Sequence, residues 1–122
     1  KAESMDKVAL AIVSPQDGQY PPLRDISLKA YAALGCADVV RIDFKADGEG
    51  QLYVIDVNGT PSLGRASSLA RMTAAVNVDY YGFINLVLYY GLKRSGLAAE
   101  LSEPVAAAKE KLVSLSRGGQ VA

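Results

Sequence analysis

The stretch Val39–Asn58, VVRIDF followed by KADGEGQL and YVIDVN, decides the fold. Val, Ile, Phe and Tyr dominate both flanks, while Asp47, Gly48 and Gly50 supply turn chemistry, so the stretch reads as two antiparallel strands joined by a tight turn. Side chains alternate across a strand, and an assumed register therefore sorts the hairpin into two faces. With Lys45 opposite Leu52, Arg41 faces Asp56 and Asp43 faces Val54. One face then carries Val40, Ile42 and Phe44 with Tyr53, Ile55 and Val57, and is expected to be the core face. The other carries Arg41, Asp43 and Lys45 with Asp56 and Asn58. Sliding the pairing by two residues keeps this partition.

In that register Asp43 and Asp56 are diagonal neighbours, roughly 7 to 8 Å apart at the backbone, and Asn58 follows on the same face. Two carboxylates and a carboxamide converge. The chain has no His and a single Cys, so an oxygen-donor set of this kind suits magnesium or manganese rather than zinc. Arg41 beside them suits a phosphate or a carboxylate. The plainer alternative is a solvated face on which Arg41 pairs with Asp56, an exposed ion pair worth little.

Upstream, Leu23, Ile26, Ala30, Tyr31 and Leu34 recur at a helical period and Gly35 supplies a stop, predicting a helix over 23–34 that packs on the hairpin's apolar face. Cys36 follows as a buried small hydrophobe, with no His to activate it. Val8–Val13 reads as a short buried strand, Ser14–Pro22 as a loop, and Tyr20-Pro21-Pro22 as a connector. Downstream, Gly59–Ser68 is a Gly- and Pro-containing loop at the end of the acidic strand, a natural place for a substrate contact. Ser67 and Ser68 serve equally as helix caps, and Arg65 faces an anion or water.

Ser68–Val76 is a short helix, and Asp79 caps a longer one reaching Lys93. The apolar run Tyr80–Leu92 is too short for a bilayer, which needs about 20 residues, and is a core helix or an interface. Tyr81, Tyr89 and Tyr90 are packing residues, or a stripe that meets a partner, a homodimer included. Ser102-Glu103-Pro104 opens an Ala-rich helix that ends near Arg117, with Gly118-Gly119 as its stop before a frayed tail. The organisation is a lead-in strand and linker (1–22), a core with the hairpin (23–96), and a terminal helix and tail (97–122).

At 122 residues, half of them apolar and with a formal charge of zero, the chain affords a packed core and lacks the basic surface of a nucleic-acid binder. Cys36 alone forms no intrachain disulfide, which fits a reducing compartment. No signal-peptide pattern opens the sequence and it begins with Lys1, as if excised from something longer. There is no phosphate-cradling Gly-rich loop.

Leu34-Gly35-Cys36 leading into Arg41-Ile42-Asp43-Phe44, a Gly-containing turn, then Leu52–Asn58 and Pro61 resembles the carboxy-terminal part of an ATP-grasp ligase, and most closely the D-alanine-D-alanine ligase family. The resemblance covers roughly Leu23–Leu92. It implies an α/β (α+β) fold in which antiparallel strands pack against helices, the carboxy-terminal subdomain of an ATP-grasp fold. It further implies that Asp43, Asp56 and Asn58 hold magnesium ions bridging the phosphates of ATP, and that Arg41 steadies the transferred phosphoryl group and the tetrahedral state that follows. The loop with Gly59, Pro61 and Ser62, and Ser67 or Ser68 beyond it, would meet a small amino-acid substrate. The reaction would be activation of a carboxylate as an acyl phosphate and its capture by an amine, in the cytoplasm and in peptidoglycan biosynthesis. Two departures stand out: the family usually has Glu at the place of Asp56 and Gly at that of Ser62. The ATP-cradling loop and its Lys residues belong to the preceding half of such a fold, which this chain would need as a partner. The opposing expectation is a binding or assembly module that keeps the fold without the chemistry.

Overall fold

The computed structural model describes residues 11–97 and 100–118, in the order α1 (Tyr20–Ala33), β1 (Arg41–Ala46), β2 (Leu52–Asn58), α2 (Ser68–Ala75), α3 (Tyr80–Arg94) and α4 (Glu103–Ser116). Two antiparallel strands and four helices make an α+β fold. Of the expected strand Val8–Val13, residues 8–10 lie outside the described residues, and 11–13 are exposed without regular structure. The tail beyond Gly118 also lies outside them.

Helix α1 begins three residues earlier than the periodicity predicts. Gln19 is the N-cap, and Pro21 and Pro22 fall in the first turn instead of a connector. Proline is tolerated there because the first-turn N–H groups have no helical partner to lose, and its fixed φ suits the helix. The helix ends as the sequence indicates. Gly35 adopts φ 61°, its N–H donates to Ala32 and the Cys36 N–H donates back to Tyr31, so the last carbonyls are satisfied. Helix α2 stops in the same way at Asn77, φ 59°, with the Val78 N–H donating to Thr73. Asp79 caps α3 as expected, its Oδ1 accepting from the Gly82 N–H at 2.7 Å.

The hairpin forms, with a different register. Asp47 organises the turn: its Oδ1 accepts from the Glu49 and Gln51 N–H groups, and its backbone pairs with Gln51 and Gly50. From there Ala46 faces Leu52, Lys45 faces Tyr53 and Phe44 faces Val54. A β-bulge follows. Asp43 then faces Asp56, Ile42 faces Val57 and Arg41 faces Asn58, leaving Ile55 without a partner. One extra residue reverses the alternation, which a slip of two would have preserved. The apolar face is therefore Ile42, Phe44, Val54 and Val57, and Tyr53 moves to the charged face beside Lys45. Tyr53 and Ile55, expected in the core, are 53% and 62% exposed.

The core lies elsewhere too. Ala70, Val78, Phe83, Leu86, Val105 and Ala108 form the buried cluster, which is the packing of α2, α3 and α4 on one another. Helix α1 buries none of its residues, contrary to the expectation that it would seal the hairpin's apolar face. An open groove of about 560 Å³ separates them, walled by Leu23 and Leu28 of α1, Ile42 and Phe44 of β1, Val76 and Leu115. Cys36 is half-buried. The segment entering β1 is tied down by Arg94 of α3, which pairs with Asp38 at 2.8 Å, and by the Tyr31 hydroxyl, which donates to the Asp38 carbonyl. No described helix is long and apolar enough to cross a membrane.

Candidate functional site

The charged face of the hairpin gathers Arg41, Asp43, Lys45, Asp56 and Asn58 on two adjacent strands, with Tyr53 added by the bulge. The expected diagonal between the two acids is a direct pair: Asp43 and Asp56 are cross-strand partners. Like charges placed opposite each other are destabilising. Arg41 relieves part of this, and its partner is Asp43 on its own strand rather than Asp56 across from it. Its Nε donates to Asp43 Oδ1 at 2.8 Å and a terminal nitrogen donates to Oδ2 at 2.9 Å. This bidentate fork holds the Asp43 carboxyl below the usual carboxylate range, mainly through the hydrogen bonds and against partial desolvation. The guanidinium is raised in turn by the Asp43 hydrogen bond and charge, and to a smaller degree by the charge of Asp56.

Asp56 is exposed, and Arg41, the nearest cation on this face, gives its hydrogen bonds to Asp43 and not to the Asp56 carboxylate. Asn58, opposite Arg41, turns its Oδ1 to the Thr60 N–H at 2.9 Å, fixing the chain's exit from β2. Each of these oxygens keeps a lone pair: both carboxylate oxygens of Asp43 accept one bond apiece, and the carboxamide oxygen accepts one. The donor set is all oxygen. No cluster of three or more His, Cys, Asp or Glu occurs among the described residues, so this face is no closed protein cage. Magnesium is characteristically bound by one or two carboxylates together with water and substrate phosphates, and an open pair of carboxylates with an amide fits that pattern.

The loop after Asn58 is held at several points. Pro61 is buried, Gly59 is exposed, and the Ser62 hydroxyl accepts from the Gly64 N–H at 3.4 Å. The Tyr80 hydroxyl donates to the Leu63 carbonyl at 2.9 Å, and the Ser67 N–H donates to Gly64. The two serines differ in their local roles. Ser67 caps α2, its Oγ accepting from the Ala70 N–H at 3.2 Å, whereas Ser68 is the exposed first residue of that helix. The Arg65 guanidinium lies over aromatic rings, its central carbon 4.4 Å from the centre of Tyr80 and 5.2 Å from that of Tyr81. Tyr53 is the residue of the charged face that periodicity missed; the adjacent apolar pair Val54-Ile55, a break in alternation, is the signal of the bulge that moves it.

An α+β unit with an acidic antiparallel hairpin leading into such a loop is the carboxy-terminal subdomain of an ATP-grasp fold. The sequence model of the family described as D-ala D-ala ligase C-terminus matches residues 4–89, and the chain belongs to that family. Helix α4 lies beyond the match. The D-alanine–D-alanine ligase of Francisella tularensis subsp. novicida (strain U112) is 32% identical over 66 residues, which are 54% of this chain and 22% of the relative. The D-alanine–D-alanine ligase of Francisella philomiragia subsp. philomiragia is similar to the same degree over the same shares. The aligned part thus spans about a fifth of the length of these relatives. No solved structure matches the chain.

Proposed function

We propose that the chain is the carboxy-terminal part of an ATP-dependent carboxylate–amine ligase, with magnesium or manganese held by Asp43, Asp56 and Asn58. The observation that carries this reading is the facing of Asp43 and Asp56 across the hairpin, with Asn58 two residues on and Arg41 opposite it. The cation, when bound, neutralises phosphate oxygens of ATP and makes the terminal phosphorus a better electrophile. Asp43 and Asp56 supply the charge that holds it. Arg41, oriented by Asp43, directs its remaining N–H donors at the transferred phosphoryl group, and then at the tetrahedral state formed when an amine attacks the acyl phosphate. Gly59, Ser62 and Ser68, which are exposed, line the amino-acid side, and Pro61, which is buried, contributes by anchoring the loop. Ser67 contributes there through the helix end it fixes, since its hydroxyl is engaged in the cap.

D-alanine is the substrate that the named relatives suggest. The preceding half of the fold supplies the ATP-cradling loop and its Lys residues. The open groove over Ile42 and Phe44, with the exposed Val54 on the same face of the hairpin, offers it an apolar surface to cover. By itself the chain binds nucleotide weakly and turns nothing over. The setting is the cytoplasm.

A second reading, a binding or assembly module without catalysis, is favoured by the short side chain of Asp56, by Ser62 and by the Arg41 fork closed on Asp43. Isothermal titration of magnesium and ATP into the longest parent chain separates the two. Asp43→Asn and Asp56→Asn are each expected to weaken metal-dependent nucleotide binding by about tenfold or more, at least the scale seen when an outer support of a metal site is lost. Unchanged binding in both variants refutes the metal site and leaves the module.

A further inference from the structure

The guanidinium of Arg65 has no assigned partner in the ligase reading, and its surroundings are specific. It lies in the loop that leaves Asn58, exposed, with its central carbon 4.4 Å from the Tyr80 ring centre and 5.2 Å from that of Tyr81. Those rings meet edge to face, 6.4 Å apart, at the start of α3. The Tyr80 hydroxyl donates to the carbonyl of Leu63, two residues before Arg65. One tyrosine therefore holds both the loop backbone and the place of the cation. No described carboxylate lies within ion-pair distance of Arg65, unlike Arg24, Arg41 and Arg94, which pair with Asp25, Asp43 and Asp38.

A cation–π contact is electrostatic and supplies no lone-pair acceptor in the manner of a carboxylate, so it leaves a guanidinium's N–H donors able to take an oxyanion. An arginine held in place by its ring contacts and without a carboxylate partner presents N–H donors matched to an oxyanion. Immobilisation matters as well: a fork already held in place loses less rotamer freedom on binding than a free side chain does.

We infer that Arg65, braced by Tyr80 and Tyr81, is an oxyanion-binding residue on the loop beyond the acidic hairpin. Its ligand is the carboxylate of the amino-acid substrate or a phosphate of the nucleotide. The naming of these two sources rests on the ligase reading; the anion site itself rests on the geometry.

The test is an NMR titration of the chain, following the backbone amides of Gly64 and Ala66, with D-alanine, D-alanine methyl ester and inorganic pyrophosphate as probes. A saturable shift with D-alanine that the ester does not reproduce assigns a carboxylate, and one with pyrophosphate a phosphate. Arg65→Gln, at an exposed position, is expected to weaken the response by about tenfold, as for loss of a hydrogen bond to a charged group. The inference is overturned if the wild-type amides show no saturable shift, or if Arg65→Gln binds the probes within twofold of wild type. Turnover by the parent chain is scored separately. A bound anion without any ligation leaves the Arg65 site standing and sinks the ligase reading instead.

Discussion

Gly82 and Gly91 sit in the same helix, and replacing each by alanine should move stability in opposite directions. In α3 both lack a side chain, and alanine gains about 0.5–1 kcal/mol over glycine in a helix interior. Their surroundings differ. A Cβ at Gly91 meets nothing within 4 Å. A Cβ at Gly82 stands 3.1 Å from Asp79 Oδ1, 3.3 Å from the Ala108 Cβ and 3.5 Å from Val78 Cγ1. Neither of the closest neighbours yields easily: Asp79 Oδ1 is held by its cap bond to the Gly82 N–H, and Ala108 is a buried residue of α4. Overpacking of this kind costs about 1–3 kcal/mol. Because the propensity gain is common to both substitutions, the difference between them isolates the packing cost. Gly91→Ala should stabilise by about 0.5–1 kcal/mol, and Gly82→Ala should fall about 1–3 kcal/mol below it. At roughly 4 °C per kcal/mol for a chain of this size, the two melting temperatures should differ by about 4–12 °C. Urea and thermal unfolding followed by circular dichroism would measure this. Equal stabilisation by the two substitutions would refute the close approach of α3 and α4 at Gly82.

Two further outcomes concern the acidic face. Because Arg41 depresses the Asp43 pKa in the folded chain, the pair stabilises the fold above the ordinary carboxylate value, and that contribution is lost as pH falls through the depressed value. Arg41→Met should move the Asp43 midpoint upward in a carboxyl-carbon NMR titration; an unmoved midpoint would show that the fork does not form in solution. Asp56→Glu, which restores the longer acid, should tighten metal-dependent nucleotide binding of the parent chain severalfold in the same calorimetric assay, and weaker binding would mean that the bulge has already adapted the site to aspartate.

Local chemistry made much of this protein legible. The turn at Asp47–Gly50, the Asp79 cap, the stop at Gly35 and the Pro104-led start of α4 each satisfy backbone groups by means of residues near in sequence, so their identities suffice. The same holds for the family, whose resemblance is read from runs along the chain such as Arg41–Phe44 and Leu52–Asn58 and whose sequence model matches residues 4–89. The need for glycine at position 82 is different, since one of the two atoms that crowd it, the Ala108 Cβ, lies on another helix.

What the sequence by itself determined is therefore the hairpin and the four helices, most of their ends, and the collection of Arg41, Asp43, Asp56 and Asn58 on one hairpin, though not the early start of α1 at Tyr20 or the absence of regular structure at 11–13. What only the tertiary structure decided is how those side chains meet. Strand pairing is a choice between registers of similar local quality, and one unpaired residue at Ile55 brings Asp43 opposite Asp56, turns Tyr53 to the charged face and leaves Arg41 to its own strand. Helix packing is likewise non-local. The apolar stripe of α1 matches the hairpin by pattern, yet the buried contacts go to α2, α3 and α4, because close packing depends on the fit of surfaces that periodicity does not encode.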